Sequence, residues 1–164
     1  MKEPTSESTV EILINVLSKD AIELGSLLPH LSQRFSGKPI SHELLQTIVD
    51  SPFHDQFVVR NSDRIIVGAA TISVVIGSGV GMNAHLEDFV VDPTVQNLGI
   101  GKKLWDEIIS WCEEKKVNTL KFTSNPSRVN AHAFYLKHGA VIRNTSNFSK
   151  TITLTSDSPS SLNK

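Results

Sequence analysis

The chain has 164 residues, a formal net charge of −1 and 39% hydrophobic residues. This length predicts one domain over residues 1–164, with an ordered core of about residues 10–155 and polar tails at 1–8 and 156–164. The near-zero charge argues against nucleic-acid binding, and no apolar run is long enough to favour a membrane protein. A polar N-terminus without a signal-peptide pattern predicts a cytoplasmic location, and six scattered histidines predict no metal site.

The first quarter of the chain predicts one strand and two helices. Residues 10–16 form an apolar run suited to a strand, and Ser18 begins a helical pattern that Pro29 ends. Ser41 can cap a second helix over residues 42–49. The inner face of that helix is predicted to carry Leu44, Leu45 and Ile48.

Three strands are predicted next. Residues 56–60 and 65–76 are apolar runs on either side of a turn-forming tetrapeptide at 61–64, which is typical of an antiparallel hairpin. The glycine-rich segment 77–81 turns the chain again. No helical pattern follows it, so a connection between strands is favoured over a phosphate-binding loop. Residues 84–91 then form the predicted central strand.

The central strand leads into a helix through a glycine-rich turn. Asp92 and Pro93 end the strand, because proline cannot donate to a strand ladder. Gly99 and Gly101 then precede a helix over residues 102–116, whose apolar face is formed by Leu104, Trp105, Ile108, Ile109 and Cys112. Unpaired backbone N–H groups and the helix dipole make such an N-terminus attractive to an anion.

Two common phosphate-binding motifs do not fit this turn. The P-loop pattern requires a glycine where Gln96 stands and a serine or threonine where Lys103 stands. The dinucleotide fingerprint requires a glycine at Leu104.

After the helix, residues 117–123 predict a strand parallel to the central strand, because a helix connects the two. A turn at 124–130 leads to a helix over residues 131–139 that Gly139 ends. Residues 141–154 predict two further strands. The alternation of these elements indicates an α/β fold with a mixed sheet.

Two motifs together resemble those of the GNAT superfamily of acyl-CoA-dependent N-acyltransferases. The first is Gln96-x-x-Gly99-x-Gly101 after a strand that ends in Val-Asp-Pro. The second is Asn130-x-x-Ala133-Phe134-Tyr135, followed by Gly139 and then by Ala140, where the family usually has phenylalanine. The resemblance implies a mainly antiparallel sheet with a central parallel βαβ pair that is splayed to hold CoA.

The resemblance also implies a function. We expect acetyl transfer from acetyl-CoA, as cosubstrate, directly to a primary amine of a small molecule. Alternatives are a protein lysine or N-terminal amine acceptor, and a non-catalytic acyl-CoA-binding sensor. The expected partners are acetyl-CoA and the amine acceptor, without nucleic acid or membrane, and a homodimer is left open.

The site residues follow from the same resemblance. Tyr135 is the candidate acid for the departing thiolate, and Glu87 is favoured over His85 as the base. Glu87 and His85 are expected on one strand face, with Asp88 on the other. The candidate cofactor-binding residues are Phe89, Val90, Val91, Gln96, Asn97, Leu98, Gly99, Ile100, Gly101, Lys102, Asn125, Asn130 and Ala133.

Overall fold

A computed structural model describes residues 8–152 of the chain. The predicted tails therefore lie outside the described residues, apart from Ser8. Compact packing divides the chain after Thr123, with all the strands in the first unit and the last helix in the second. The prediction of a single domain stays a prediction.

The elements are β1 (Thr9–Ile12), α1 (Ser18–Leu27), α2 (His42–Asp50), β2 (His54–Arg60), β3 (Ile66–Gly77), β4 (Gly81–Val91), α3 (Ile100–Glu114), β5 (Leu120–Lys121) and α4 (Val129–Lys137), with short 3-10 turns at Leu28–His30 and Pro93–Val95.

The strands form one mixed sheet in the order β1-β2-β3-β4-β5. Successive strands from β1 to β4 pair antiparallel, and β4 pairs parallel with β5. Short turns join β2 to β3 and β3 to β4, whereas α1 and α2 lie between β1 and β2. This confirms the predicted α/β fold and its mainly antiparallel sheet. Among residues 8–152, no helix has both the length and the apolar character needed to cross a bilayer.

A β-bulge interrupts β4 near Asp88. Thr71 lies opposite Glu87 and Ala69 lies opposite Val90, so two steps along β3 match three steps along β4. Asp88 has a φ of 54°, which is uncommon for a residue other than glycine. The extra residue shifts the alternation of side chains, which simple spacing along the strand did not predict.

Consecutive residues after the bulge pack on opposite faces of the sheet. Val90 and Ala69 join a buried cluster with residues of α1 and α2, among them Leu24, Leu27 and Leu45. Phe89, next in the chain to Val90, instead meets Trp105 of α3 edge to face at 6.2 Å between ring centroids. The apolar layers on both sides of the sheet therefore hold the end of β4 in place.

A buried ion network joins α1 to the edge of the sheet. Arg60 of β2 pairs with the fully buried Asp20 at 2.9 Å and with Glu11 of β1 at 2.5 Å. The second carboxylate oxygen of Asp20 accepts a hydrogen bond from the Leu17 amide at the start of α1. Each charge thus has a partner, which burial of charged groups requires.

This network predicts a loss of stability in acid. Burial alone would raise the pKa of Glu11, but its hydrogen bond and charge interaction with Arg60, together with Arg64, hold the pKa below the ordinary 4.5. Glu11 therefore contributes stability above its ordinary pKa, and this contribution is lost as the pH falls through the lowered value. We expect Glu11→Gln to lower the urea midpoint near pH 7 and the difference from wild type to shrink as the pH falls progressively below 4.5. Glu107→Gln, an exposed change on α3, serves as the control, and an unchanged difference across this range would contradict the prediction.

The segment between α1 and α2 is anchored against α1 just before it enters α2. The Ile40 amide donates to the Ala21 carbonyl at 3.0 Å, and a Cβ atom placed on Gly25 would lie 2.2 Å from the Lys38 carbonyl oxygen. Only glycine permits this approach of backbone to helix. Residues 38–40 are thereby fixed against α1.

Three local predictions differ from the structure. The described residues 141–152 contain no strand, and their large apolar side chains, among them Phe148, are exposed. Apolar composition favours a strand only where a partner strand completes the ladder; residues 153 and 154 lie outside the described part. The strand predicted over 117–123 contains only Leu120–Lys121. Leu44 is exposed, because α2 turns only Leu45 fully into the core.

Candidate active site

The parallel strand pair is short and opens toward the carboxyl end of β4. Only Ala84 and His85 pair with β5, opposite Leu120 and Lys121. Within residues 8–152, no strand pairs with the remaining length of β4 on that side. The opening confirms the predicted splay, and residues 86–91 can offer backbone groups along this edge.

The turn after β4 is held by its own side chains. The Asp92 carboxylate accepts hydrogen bonds from the Thr94 hydroxyl at 2.7 Å and amide at 2.8 Å, and these bonds lower the pKa of Asp92. The Gln96 side-chain amide donates to the Val91 carbonyl at 3.1 Å. Gln96, predicted as a cofactor-binding residue, therefore fastens the turn to the end of β4.

Helix α3 begins where this turn ends, one residue after Gly99. Asn97 and Gly99 have φ angles of 64° and 83°, so the turn uses the left-handed region twice. The Lys103 amide donates to the Gly99 carbonyl at 3.0 Å, whereas amides earlier in a first turn have no intrahelical acceptor. A Cβ atom on Gly99 would meet nothing within 4 Å, so the space beside the turn is open.

This helix start suits a phosphate group. Its backbone N–H groups and dipole favour an anion, and its first turn carries no acidic side chain. The predicted residues Leu98, Ile100, Gly101 and Lys102 all lie here. Lys102 pairs with Asp106 at 2.5 Å on the exposed side of the helix, so its charge is already partly compensated.

The predicted strand residues can serve a ligand mainly through their backbone. Phe89 packs on Trp105, which in turn meets Phe122 edge to face at 5.9 Å. The Val90 side chain is buried in the cluster with α1 and α2. With these side chains turned into the core, backbone N–H and C=O groups remain to face the opening beside β4.

The two candidate bases lie on the same face of β4, as predicted. His85 Nδ1 and Glu87 Oε1 are 2.9 Å apart, and both side chains are exposed. Asp88, within the bulge, has a pKa raised first by burial and then by the charge of Glu87, while Arg34 opposes this rise. The structure thus places two carboxyl groups beside the opening of the strand pair, one of them hydrogen-bonded to His85.

The second unit carries the remaining candidates. Asn125 accepts a hydrogen bond from the Ser127 amide at 2.9 Å and so stabilises the turn before α4. Asn130 and Ala133 are exposed on α4, and Tyr135 is buried. Burial raises the pKa of Tyr135, and the Arg128 guanidinium opposes this rise. A φ of 87° at Gly139 confirms that this glycine terminates the helix.

Sequence reasoning did not single out two further polar residues in this unit. Ser124 Oγ and His132 Nε2 are buried atoms that have no hydrogen-bond partner among the described residues. Such atoms are rare in folded proteins and commonly mark the position of a bound polar group or water. Neither residue belongs to the quoted motifs, so only the environment in the fold identifies them.

The described residues include no cluster of three His, Cys, Asp or Glu side chains that could hold a metal ion. Cys112 is buried on α3, and burial raises its pKa to about 11, so this thiol is a poor nucleophile.

Solved structures share this fold. One is a transcriptional regulator from Bacillus halodurans C-125, with 18% identity over 90% of this chain and 100% of that chain and a TM-score of 0.74. Another is a Trypanosoma brucei acetyltransferase, with 22% identity over 88% and 100% and a TM-score of 0.70. A third is an aminoglycoside acetyltransferase from an uncultured soil metagenomic sample, with 23% identity over 89% and 97% and a TM-score of 0.69. A search of curated proteins gives no significant match.

The fold, with its opened parallel pair beside a helix N-terminus, is that of acetyltransferases. The sequence profile of the Acetyltransferase (GNAT) family matches residues 26–140. The chain therefore belongs to the GNAT acetyltransferase family, which places it among the acyltransferases.

Proposed function

We propose that this protein transfers the acetyl group of acetyl-CoA directly to a primary amine of a small molecule. The observation that carries this proposal is the open edge of β4, which runs past Glu87 and ends at the exposed start of α3. A strand edge suits the amides of a pantetheine arm, and a helix N-terminus suits a pyrophosphate.

The chain offers groups for the pyrophosphate and the pantetheine arm of acetyl-CoA. Backbone N–H groups from Leu98 to Lys102 would hold the pyrophosphate, with Asn97 at the rim. Backbone groups of residues 89–91 would hold the pantetheine arm. Asn125, Asn130 and Ala133 keep the cofactor-binding roles that the resemblance implies.

Positioning accounts for much of the proposed catalysis, because the thioester supplied by acetyl-CoA is already reactive. The amine must lose a proton, and Glu87 is the proposed acceptor, directly or through water, with His85 hydrogen-bonded behind it. Tyr135 is the proposed donor to the departing thiolate. Its raised pKa keeps the phenol protonated at neutral pH.

The charge beside the opening supports a cationic acceptor. Glu87 is an exposed carboxyl group hydrogen-bonded to His85, and the Asp88 carboxyl next to it in the chain interacts with Arg34. Such a surface attracts ammonium groups and disfavours anionic substrates. An amine of a small cationic molecule therefore fits better than a neutral acceptor.

Turnover with a panel of amines tests the proposal. Release of the CoA thiol should be measured with polyamines, amino sugars, amino acids, and lysine-containing and N-terminal peptides. Turnover of small amines in preference to peptides supports the proposal. Turnover of peptides alone would assign a protein acceptor, and tight acetyl-CoA binding without any turnover would indicate a sensor; either result contradicts the proposal.

Glu87→Gln tests the proposed base. An alkyl amine has a pKa of about 10, so only about one molecule in a thousand is neutral near pH 7. We expect kcat/KM to fall about tenfold near pH 7, where His85 can still accept the proton in place of Glu87. The defect should shrink as the pH approaches the pKa of the free amine. Glu11→Gln makes the same chemical change away from the strand opening and is the control. A defect of equal size at every pH would show that Glu87 anchors the acceptor instead.

A further inference from the structure

The tip of the β3–β4 hairpin extends past the rest of the sheet. The last pairing of β2 with β3 is His54 with Ser73, and the first pairing of β4 with β5 is at Ala84. Beyond the hydrogen bond from the Val74 amide to the Phe53 carbonyl, no described strand pairs with either edge of residues 75–83. We call residues 75–83 the hairpin tip.

The hairpin tip is apolar, uncharged and ordered. Its large side chains are exposed, at 47% for Val75, 63% for Ile76, 60% for Val80 and 37% for Met82. No Asp, Glu, Lys, Arg or His occurs between residues 65 and 84. The Val80 amide donates to the Gly77 carbonyl at 3.2 Å, and the Asn83 side-chain amide donates to the Val80 carbonyl at 3.2 Å, so the turn is braced.

An apolar strand edge that faces water promotes association with other chains. An unpaired strand edge with apolar side chains is a template for further pairing, and proteins commonly protect such edges with charges or prolines. The hairpin tip has neither. A contiguous exposed apolar patch on an ordered element is typical of an interaction site.

We propose that the hairpin tip is a homodimer interface in which the open edge of β3 pairs antiparallel with the same edge of a second copy. Identical segments related by a two-fold axis match donor with acceptor along an antiparallel ladder, so the surface is complementary to itself. The lack of charge supports this partner, because a copy brings no like charges together and a charged partner would find no opposite charge.

The exposed area of the hairpin tip is that of a small interface. At the exposed fractions given above, and with the half-exposed Phe53 beside them, the side chains expose on the order of 500 Å² per copy, or about 1,000 Å² for the pair. Val75 and Ile76 point to opposite faces of the hairpin, so one contact covers part of this area and the dimer falls in the size class of weak, transient complexes. The proposal is independent of the acetyl-transfer function, because the hairpin tip contains none of the proposed site residues.

Sedimentation equilibrium of the full chain from about 1 to about 100 μM tests the interface. We expect a wild-type dimer, and an increase of about 100-fold or more in its dissociation constant for Ile76→Lys, which brings two charges together across the two-fold axis. Val80→Lys is a second variant at the turn that keeps the test valid if the first variant folds poorly. Ile22→Lys is the matched control, since Ile22 is similarly exposed at 55% but lies on α1.

Three results would overturn the proposal. The first is a wild-type chain that stays monomeric across this range. Another is a dimer that both tip variants leave intact, and the third is a dimer that Ile22→Lys disrupts as strongly as they do. Cosedimentation of a monomeric wild type with phosphatidylcholine vesicles, lost in Ile76→Lys, would instead assign the tip to a lipid surface.

Discussion

Replacing Tyr135 with phenylalanine is expected to lower kcat about 100-fold and to leave the affinity for CoA unchanged. A thiol has a pKa on the order of 8 to 9, so the CoA thiolate is a fair leaving group even without a proton donor. General-acid catalysis contributes about 10²- to 10⁴-fold to a rate. Because the thiolate needs little help to leave, we expect the contribution of Tyr135 to kcat to lie at the lower limit of this range. Burial raises the pKa of this phenol, which keeps the proton available throughout the neutral range.

The measurement must separate proton donation from packing. Tyr135→Phe keeps the ring that meets Phe134 edge to face at 5.7 Å, so thermal unfolding should change little. Phe134→Leu is the packing control, and it should affect stability more than kcat. The rate should be measured where solvent viscosity has no effect, so that chemistry limits turnover. A nearly wild-type kcat for Tyr135→Phe would make Tyr135 a packing residue and water the proton donor.

Replacing Gly101 with valine is expected to weaken CoA binding by about 100-fold or more. The branched side chain would stand in the first turn of α3, where the backbone N–H groups are proposed to meet the pyrophosphate. Hydrogen bonds to charged groups contribute about 1.5 to 3 kcal/mol each, so the loss of two corresponds to at least about 100-fold. The helix should persist, because glycine is a poorer helix former than valine.

Calorimetric titration with CoA measures this effect. Ser110→Val introduces the same side chain on an exposed position of α3, away from the N-terminus, and should bind CoA like wild type. Unchanged affinity for CoA in a folded Gly101→Val variant would show that the pyrophosphate does not bind at this helix N-terminus. A loss of similar size in both variants would point to a general disturbance of α3.

The sequence predicted those features that depend on local chemistry. Ser41 accepts the Leu44 amide at the start of α2, and Gly99 takes the left-handed conformation just before α3, both as the residue types suggest. The Gln96-x-x-Gly99-x-Gly101 motif could be recognised because it consists of residue types at fixed spacing before a helix. The family match confirms the resemblance, while the roles of Glu87, His85 and Tyr135 stay predictions.

Features that depend on distant parts of the chain were missed. The bulge at Asp88 arises from pairing with β3, and nothing in the local pattern marks the extra residue. Residues 141–152 have strand-type composition, but a strand forms only where another completes its hydrogen bonds. Ser124 and His132 stand out only because each has a buried polar atom without a hydrogen-bond partner among the described residues, and no spacing along the chain reveals this.

The contact between Gly25 and the Lys38 carbonyl limits where the connection between α1 and α2 can change its length. Between α1 and α2, residues 38–40 are fixed by the Lys38 carbonyl lying against Gly25 and by the Ile40 amide bonded to Ala21. Insertions and deletions there would break packing, whereas residues 32–36 lie in an irregular surface segment outside this anchor. Length variation among relatives should therefore concentrate in residues 32–36, so that the loop can diversify while its exit into α2 stays in place.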